Sequence, residues 1–170
     1  MRAFTTIAFT DAVKAMQEWN GAREANEFVA AREPANDSLT EDIIDFIAER
    51  DSFYLGTASL DGWPYIQHRG GLRGFLKVLD KRTLAFADFA GNRQYISAGN
   101  LSENDKVILF LMDYRARRRL KIWGQAELID DDPALSARCA LADYPGKIER
   151  VIRVKVLAWD FNCHQHISPR

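Results

Sequence analysis

Cysteine is scarce in this 170-residue chain: Cys139 and Cys163 are too few and too far apart for a disulfide framework or a paired-cysteine metal knuckle. Histidine is nearly as rare. His164 and His166 sit two apart, but only Asp160 and Cys163 lie nearby as further ligands, so no metal site is expected. Long apolar runs are missing too. The longest, Val107 to Met112, falls far short of the ~20 residues that cross a bilayer, so no transmembrane helix and no membrane partner are expected. No basic segment followed by an apolar block opens the chain, which points to a reducing, cytoplasmic setting rather than a secretory one. There is no glycine-rich dinucleotide fingerprint, no phosphate loop ending in Gly-Lys-Ser/Thr and no Gly-x-Ser-x-Gly elbow.

Neither charge sign dominates, with 23 Lys+Arg against 24 Asp+Glu. The distribution is uneven, however: Tyr65 to Gly124 holds 12 of the basic side chains and only 5 of the acidic ones. A cationic middle in an acidic protein points to one specific anion and not to nucleic acid, which usually makes a whole domain basic. The composition, 47% hydrophobic and 28% charged, is that of a folded globular chain. No linker or repeat divides it, so residues 1–170 read as one domain with a helical extension over 1–37.

The periodicity predicts a helix from Thr10 to Ala31, with Met16, Trp19, Ala22, Ala25 and Val29 at steps of three or four, ended by Pro34. A second helix is expected from Ser38, three residues before Glu41 in a capping-box spacing, with Ile43, Phe46 and Ile47 on its apolar face. The pattern then changes to strands. Ser52 to Leu60 and Tyr65 to Gly71 flank Asp61-Gly62, a hairpin signal, and Gly74 to Leu79 and Thr83 to Phe86 flank Asp80-Lys81. Ala87 to Asn100 reads as irregular, with a short helix from Arg93 to Ala98. Lys106 to Met112 and Arg118 to Ile129 read as long strands, Asp130 to about Asp143 as a helix with Pro133 in its first turn, and Glu149 to Trp159 as the last strand. About seven strands, mostly hairpin-linked, predict a mainly β, antiparallel barrel with peripheral helices.

Two features carry candidate chemistry. Gln67-x-Arg69 lies on a strand, and Gly91-Asn92-Arg93 forms a glycine-turned loop that opens a short helix. Backbone N–H groups at such a start, with a guanidinium beside them, make a natural phosphate cradle. The basic run Arg115, Arg117, Arg118, Arg119 and Lys121 opens a strand, so alternate members face opposite sides. Most of that run reads as a solvated strand face, with one or two members left to serve a fixed anion.

A wider set of residues resembles a known family. The strand Phe53-Tyr54-Leu55-Gly56-Thr57 with Asp61-Gly62-Trp63-Pro64, the segment Gly71-x-x-Gly74-Phe75-Leu76, the run Leu84-Ala85-Phe86-Ala87-Asp88-x-x-Gly91-Asn92-Arg93-Gln94, and Arg119-Leu120-x-Ile122-x-Gly124-x-Ala126 together resemble the pyridoxamine 5′-phosphate oxidase-like flavin-binding proteins. The tail from Trp159 to Arg170 is similar to that of a stand-alone flavin-nucleotide-binding subgroup. The resemblance implies a homodimer of six-stranded antiparallel split barrels with two FMN molecules at the interface. It implies Gln67, His68 and Arg69 along the flavin, Ala87 and Asp88 beyond the fourth strand, Asn92 and Arg93 on the phosphate, and Arg119 reaching the flavin of the partner subunit. Trp159 would close the far side, and Gln165, His166 and Arg170 would line the substrate. It also implies a flavin-dependent oxidoreductase; a flavin-binding module without turnover, or a barrel holding deazaflavin or haem, are the alternatives. The chain departs from the family's oxidases in having Asn92-Arg93 where they carry an Arg-Lys pair, and Gln165-His166 where they carry Arg-x-His.

Overall fold

The computed structural model of the chain describes residues 3–32, 35–142, 144–162 and 167–168, with Arg32 and Asn162 as backbone. Three helices come first: α1 (Ala3–Ala8), α2 (Asp11–Trp19) and α3 (Arg23–Arg32). The Thr10 side chain caps α2 by accepting from the Val13 N–H. The single helix predicted over Thr10 to Ala31 is in fact two, because Gly21 takes a positive φ of 66° and turns the chain between them. Helix α4 (Glu41–Ala48) starts at a Thr40 cap rather than at Ser38, and Ile43, Phe46 and Ile47 are buried beneath it as the pattern predicted. Burial of each contributes roughly 2 kcal/mol.

Seven strands follow in one antiparallel sheet: β1 (Ser52–Ala58), β2 (Pro64–Gly70), β3 (Lys77–Asp80), β4 (Thr83–Phe89), β5 (Lys106–Asp113), β6 (Arg118–Ile129) and β7 (Ile148–Asn162). Their order is β2-β1-β5-β6-β7-β4-β3, so the six strands implied by the resemblance are corrected to the seven that the strand pattern predicted, in an open sheet whose end strands β2 and β3 do not pair. The extra member is β3, four residues long and paired only with β4. Gly62, at φ 92°, closes the β1–β2 turn, with its N–H donating to Ser59 O at 3.0 Å. Helix α5 (Ile96–Glu103) follows β4, and α6 (Pro133–Cys139) follows β6 with Asp132 accepting from the Leu135 N–H at 2.9 Å. Helix α6 is shorter than predicted because Ala140 is already extended.

Alternation along the strands divides the sheet into two faces. The concave face buries Phe53, Leu55, Leu84, Phe86, Leu109, Leu111, Leu120 and Ile122 around α4. Phe53 stacks on Phe75 at 5.5 Å and meets Phe86 edge-on at 5.1 Å. A second cluster, Ala85, Ala87, Leu135, Cys139 and Val151, seats α6 on the back of β4 and β7. Burial there pushes the Cys139 thiol pKa up. On the convex face, Phe4 of α1 stacks on Trp123 at 5.8 Å. A bulge between Trp123 and Gly124 requires glycine, since a Cβ at 124 would lie 2.6 Å from Val154 Cγ1 and 2.7 Å from Lys155 O.

Two features place the site. Strand β4 runs on through Ala87 and Asp88 to Phe89, where the sequence predicted irregular chain, because β7 supplies a pairing partner along its whole length. Helix α5 begins at Ile96 and not at Arg93, because Arg93 and Tyr95 hold φ values of 60° and 53°, outside any right-handed helix.

Candidate functional site

A cavity of about 180 Å³ opens between the end of β2 and the connection from β4 to α5. Strand β2 contributes Tyr65, Gln67 and Arg69, which alternation places on its inner side. The end of β4 contributes Asp88 and Phe89, the loop Gly91 to Tyr95 forms the rim, and Ile96, Ser97 and Ala98 of α5 with Glu149 of β7 complete the wall.

Arg69 is the centre of the charge arrangement. Its Nη1 donates to Asp88 Oδ1 at 2.5 Å, and its side chain is only 14% exposed. Asp88 is itself buried, and on its other oxygen it faces Arg150 Nε at 3.9 Å; Arg150 also lies 3.5 Å from Asp130. One carboxylate therefore sits between two guanidinium groups, which holds both side chains in place. Arg69 Nε is buried and has no hydrogen-bond partner among the described residues. Such an orphaned donor is uncommon in a folded protein and costs stability unless a ligand meets it. Arg93, exposed on the rim, makes no ion pair among the described residues.

Polar groups complete the wall. The Ser97 hydroxyl donates to Gln67 Oε1 at 2.8 Å, which turns the Gln67 amide toward α5. Asn92 Oδ1 accepts from the Gln94 N–H at 3.1 Å and shapes the loop. Tyr95 stands at the start of α5 without a side-chain cap, so the first-turn amides of Ile96, Ser97 and Ala98 are left uncapped at the cavity wall. Two arginines and a helix N-terminus, both features that favour anions, share this opening with the carboxylates of Asp88 and Glu149.

Five residues singled out from the sequence, Gln67, Arg69, Asp88, Asn92 and Arg93, meet at this cavity. Four do not line it. His68 points to the convex face, edge-on to Tyr54 at 5.5 Å. The Ala87 side chain packs under α6. Arg119 lies on the convex face in a separate groove with Tyr54, Phe110, Met112 and Tyr114. Trp159 packs against the core near Phe161, with its Nε1 donating to Ser38 O at 2.8 Å. Gln165, His166 and Arg170, like Pro34, Cys163 and His164, lie outside the described residues. Sequence reasoning missed Tyr65, Tyr95, Ser97 and Glu149. Tyr65 was accessible by period two from Gln67 and Arg69; Glu149, fifty residues downstream of the loop, carried no local signal.

Among the described residues, no group of three His, Cys, Asp or Glu side chains is placed to hold a metal, and no helix is long and apolar enough to cross a membrane. A family model described as pyridoxamine 5′-phosphate oxidase matches residues 39–163, a span that contains every strand and the whole cavity. No curated protein matches the chain. Among solved structures, HupZ of Group A Streptococcus is similar at 17% identity over 78% of this chain and 98% of its own, with a TM-score of 0.60. A protein of Lactobacillus delbrueckii, provisionally described as a pyridoxamine 5′-phosphate oxidase, shares 22% identity over 73% and 94%, with a TM-score of 0.56. An FMN-binding protein from Syntrophomonas wolfei shares 11% over 86% and 97%, with a TM-score of 0.55. At such identities the likeness is one of fold.

Proposed function

The chain belongs to the pyridoxamine 5′-phosphate oxidase family, and from that premise we propose that it is an FMN-dependent oxidoreductase acting on a small molecule, as a homodimer with the flavin at the interface. The observation that carries the reading is the convergence of Arg69, Arg93 and the uncapped first turn of α5 on one cavity. The residues fit the group: the buried, unpartnered Arg69 Nε is a donor that a phosphate oxygen would satisfy. Arg69 and Arg93 would hold the doubly charged phosphate, and Gln67 and Asn92 the hydroxyls next to it. Asp88 keeps the Arg69 guanidinium aimed at the opening. When bound, the flavin supplies a ring that accepts hydride, while the protein binds and orients it.

Size supports a shared site. A cavity of about 180 Å³ takes a phosphate and part of its chain, whereas pockets that enclose a whole ligand of flavin size run to about 300–1,000 Å³. The rings then extend beyond one subunit. The convex face offers what a second subunit needs: Ile66 and Trp63 are 69% and 75% exposed, beside an apolar groove lined by Gly56, Ile108 and Leu157. His68 and Arg119 stand on that same face, where they would serve the partner's flavin. Ala87 would contact the cofactor through its backbone, Trp159 would close the far side, and Gln165, His166 and Arg170 would line the substrate. The single cation of Asn92-Arg93, together with Gln165-His166, favours a substrate other than pyridoxamine phosphate.

The test is an absorption spectrum of the protein as purified, repeated after adding FMN, with light scattering on the same sample. Two flavin bands, quenched fluorescence of added FMN and a mass of twice 19.4 kDa are expected. A colourless protein that leaves added FMN fully fluorescent overturns the flavin reading, and a 19.4 kDa particle at micromolar concentration overturns the shared site. Bleaching of the flavin by donors from a reductant panel then identifies the substrate class.

A further inference from the structure

The loop that rims the cavity holds an unusual shape, and one contact from a distant strand explains how. Arg93 and Tyr95 both occupy the left-handed region, at φ 60° and 53°, although neither is glycine. Left-handed backbone at such residues costs about 1–3 kcal/mol each and persists only where surrounding contacts impose it. Asn92 shapes the front of the loop through the Gln94 N–H. The back is held from β7: the Tyr95 hydroxyl donates to Glu149 Oε1 at 3.1 Å, and Arg150 lies over the Tyr95 ring at 5.7 Å.

A fault in the β4–β7 pairing makes that contact reachable. Asp88 pairs with Arg150, but the next residue, Phe89, pairs with Ile148, so Glu149 is the extra residue of a bulge with no partner across the ladder. Bulges re-aim side chains at the margins of sheets. Here the bulge lets two consecutive residues of β7 act on one side of the site. Glu149 reaches the Tyr95 hydroxyl, and Arg150 backs Asp88, which in turn holds Arg69.

We propose that Tyr95 and Glu149 form a latch that keeps the 91–95 loop and the first turn of α5 in their anion-binding shape, so that Glu149 is a positioning residue for the phosphate. The phosphate role rests on the flavin reading above; the latch itself does not. A carboxylate beside a phosphate is otherwise unfavourable, since the two like charges repel. Its presence at the cavity wall is accounted for by what it holds in place.

Two charge-identical variants separate the latch from that repulsion. Glu149→Gln keeps an oxygen that accepts from the Tyr95 hydroxyl, whereas Glu149→Ala removes it. FMN and riboflavin affinities are measured by fluorescence quenching on the flavin-free protein, and amide hydrogen exchange over residues 92–98 is followed without ligand. We expect Glu149→Gln to bind FMN at least as tightly as the wild type. Glu149→Ala and Tyr95→Phe should bind it about fivefold more weakly than Glu149→Gln, the size of one net hydrogen bond. Riboflavin, which lacks the phosphate, should shift by less than twofold in all three, a pattern that general destabilisation does not produce. Exchange should rise in Glu149→Ala and Tyr95→Phe but not in Glu149→Gln. Equal FMN affinity for Glu149→Gln and Glu149→Ala, or equal losses for both flavins, overturns the phosphate role. Unchanged exchange in Tyr95→Phe with FMN binding intact overturns the latch alone. A wild-type protein that binds no FMN overturns the flavin reading and the phosphate role together, and exchange still decides the latch.

Discussion

Arg50 and Arg69 are buried to almost the same extent, their side chains 12% and 14% exposed, and each faces an aspartate across the barrel wall. They differ in what they leave unmet. Arg50 spends every nitrogen: Nε donates to Phe46 O at 3.2 Å, Nη1 to Met112 O at 3.2 Å and toward Asp113 at 3.0 Å, and Nη2 to Glu49 at 3.1 Å. Its plane also lies 4.5 Å above the Phe46 ring. It clamps the end of α4 to the end of β5. Arg69 makes one bond, to Asp88, and keeps a buried Nε with no partner among the described residues. Burial and residue type do not separate the two arginines. What separates them is unmet hydrogen-bond capacity, which among the described residues Arg69 shares with the buried Nε of Arg150 beside the same aspartate.

The comparison can be broken by exchanging the consequences. Arg50→Met leaves the Phe46 and Met112 carbonyls and the Asp113 carboxylate without their donor, so stability should fall by about 2–3 kcal/mol in urea denaturation. FMN affinity of the folded fraction should stay within twofold. A loss of FMN affinity instead would mean that the two arginines are not separable. Arg69→Met should differ in its effect on the ligand. It removes a charge-assisted contact to the phosphate, so FMN should bind about 10- to 100-fold more weakly while riboflavin changes little. Stability should fall as well, by about 1–3 kcal/mol, because the buried Asp88 loses its hydrogen bond and keeps only Arg150 at 3.9 Å. Equal losses of FMN and riboflavin affinity would sink the assignment of Arg69 to the phosphate.

Where the sequence could be read, the reason was a local signal. The bounds of β6, Arg118 to Ile129, follow from alternation; Asp61-Gly62 marks the β1–β2 turn because glycine relieves a positive φ; the buried face of α4 follows from Ile43, Phe46 and Ile47 at helical spacing. The two helices read as one between Thr10 and Ala31 failed because apolar spacing continues across the Gly21 turn. The start of α5 was misplaced because nothing in the residue types announces left-handed backbone at Arg93 and Tyr95. The site divides the same way. That Gln67, Arg69, Asn92 and Arg93 belong together was legible because two short segments carry them, and they line one cavity. Glu149 was not, because its place depends on a bulge and on a strand pairing more than fifty residues from the loop. His68 and Arg119, which the family pattern sets along the flavin and on the partner's flavin, stand on the other face of the sheet from this cavity.

The smallest expected effect sharpens the structural half of the comparison by asking how much of it is charge. The Ala116 N–H donates to Asp113 Oδ1 at 2.8 Å. That bond first, and then the Arg50 guanidinium, hold the Asp113 carboxyl below its ordinary pKa against an opposing effect of burial. A carboxylate whose pKa is lowered by folding adds stability above the unfolded value, and that contribution is lost as pH falls through the folded value. Asp113→Asn keeps the oxygen that accepts from Ala116 and removes only the charge, so it should cost about 0.5–1 kcal/mol at neutral pH. In urea denaturation between pH 7 and pH 3, the gap between wild type and variant should hold down to about pH 5 and then narrow below about pH 4. A gap of constant size over that range would mean that the clamp at Arg50 works through packing on Phe46 and its carbonyl bonds, with the ion pair contributing nothing that titrates.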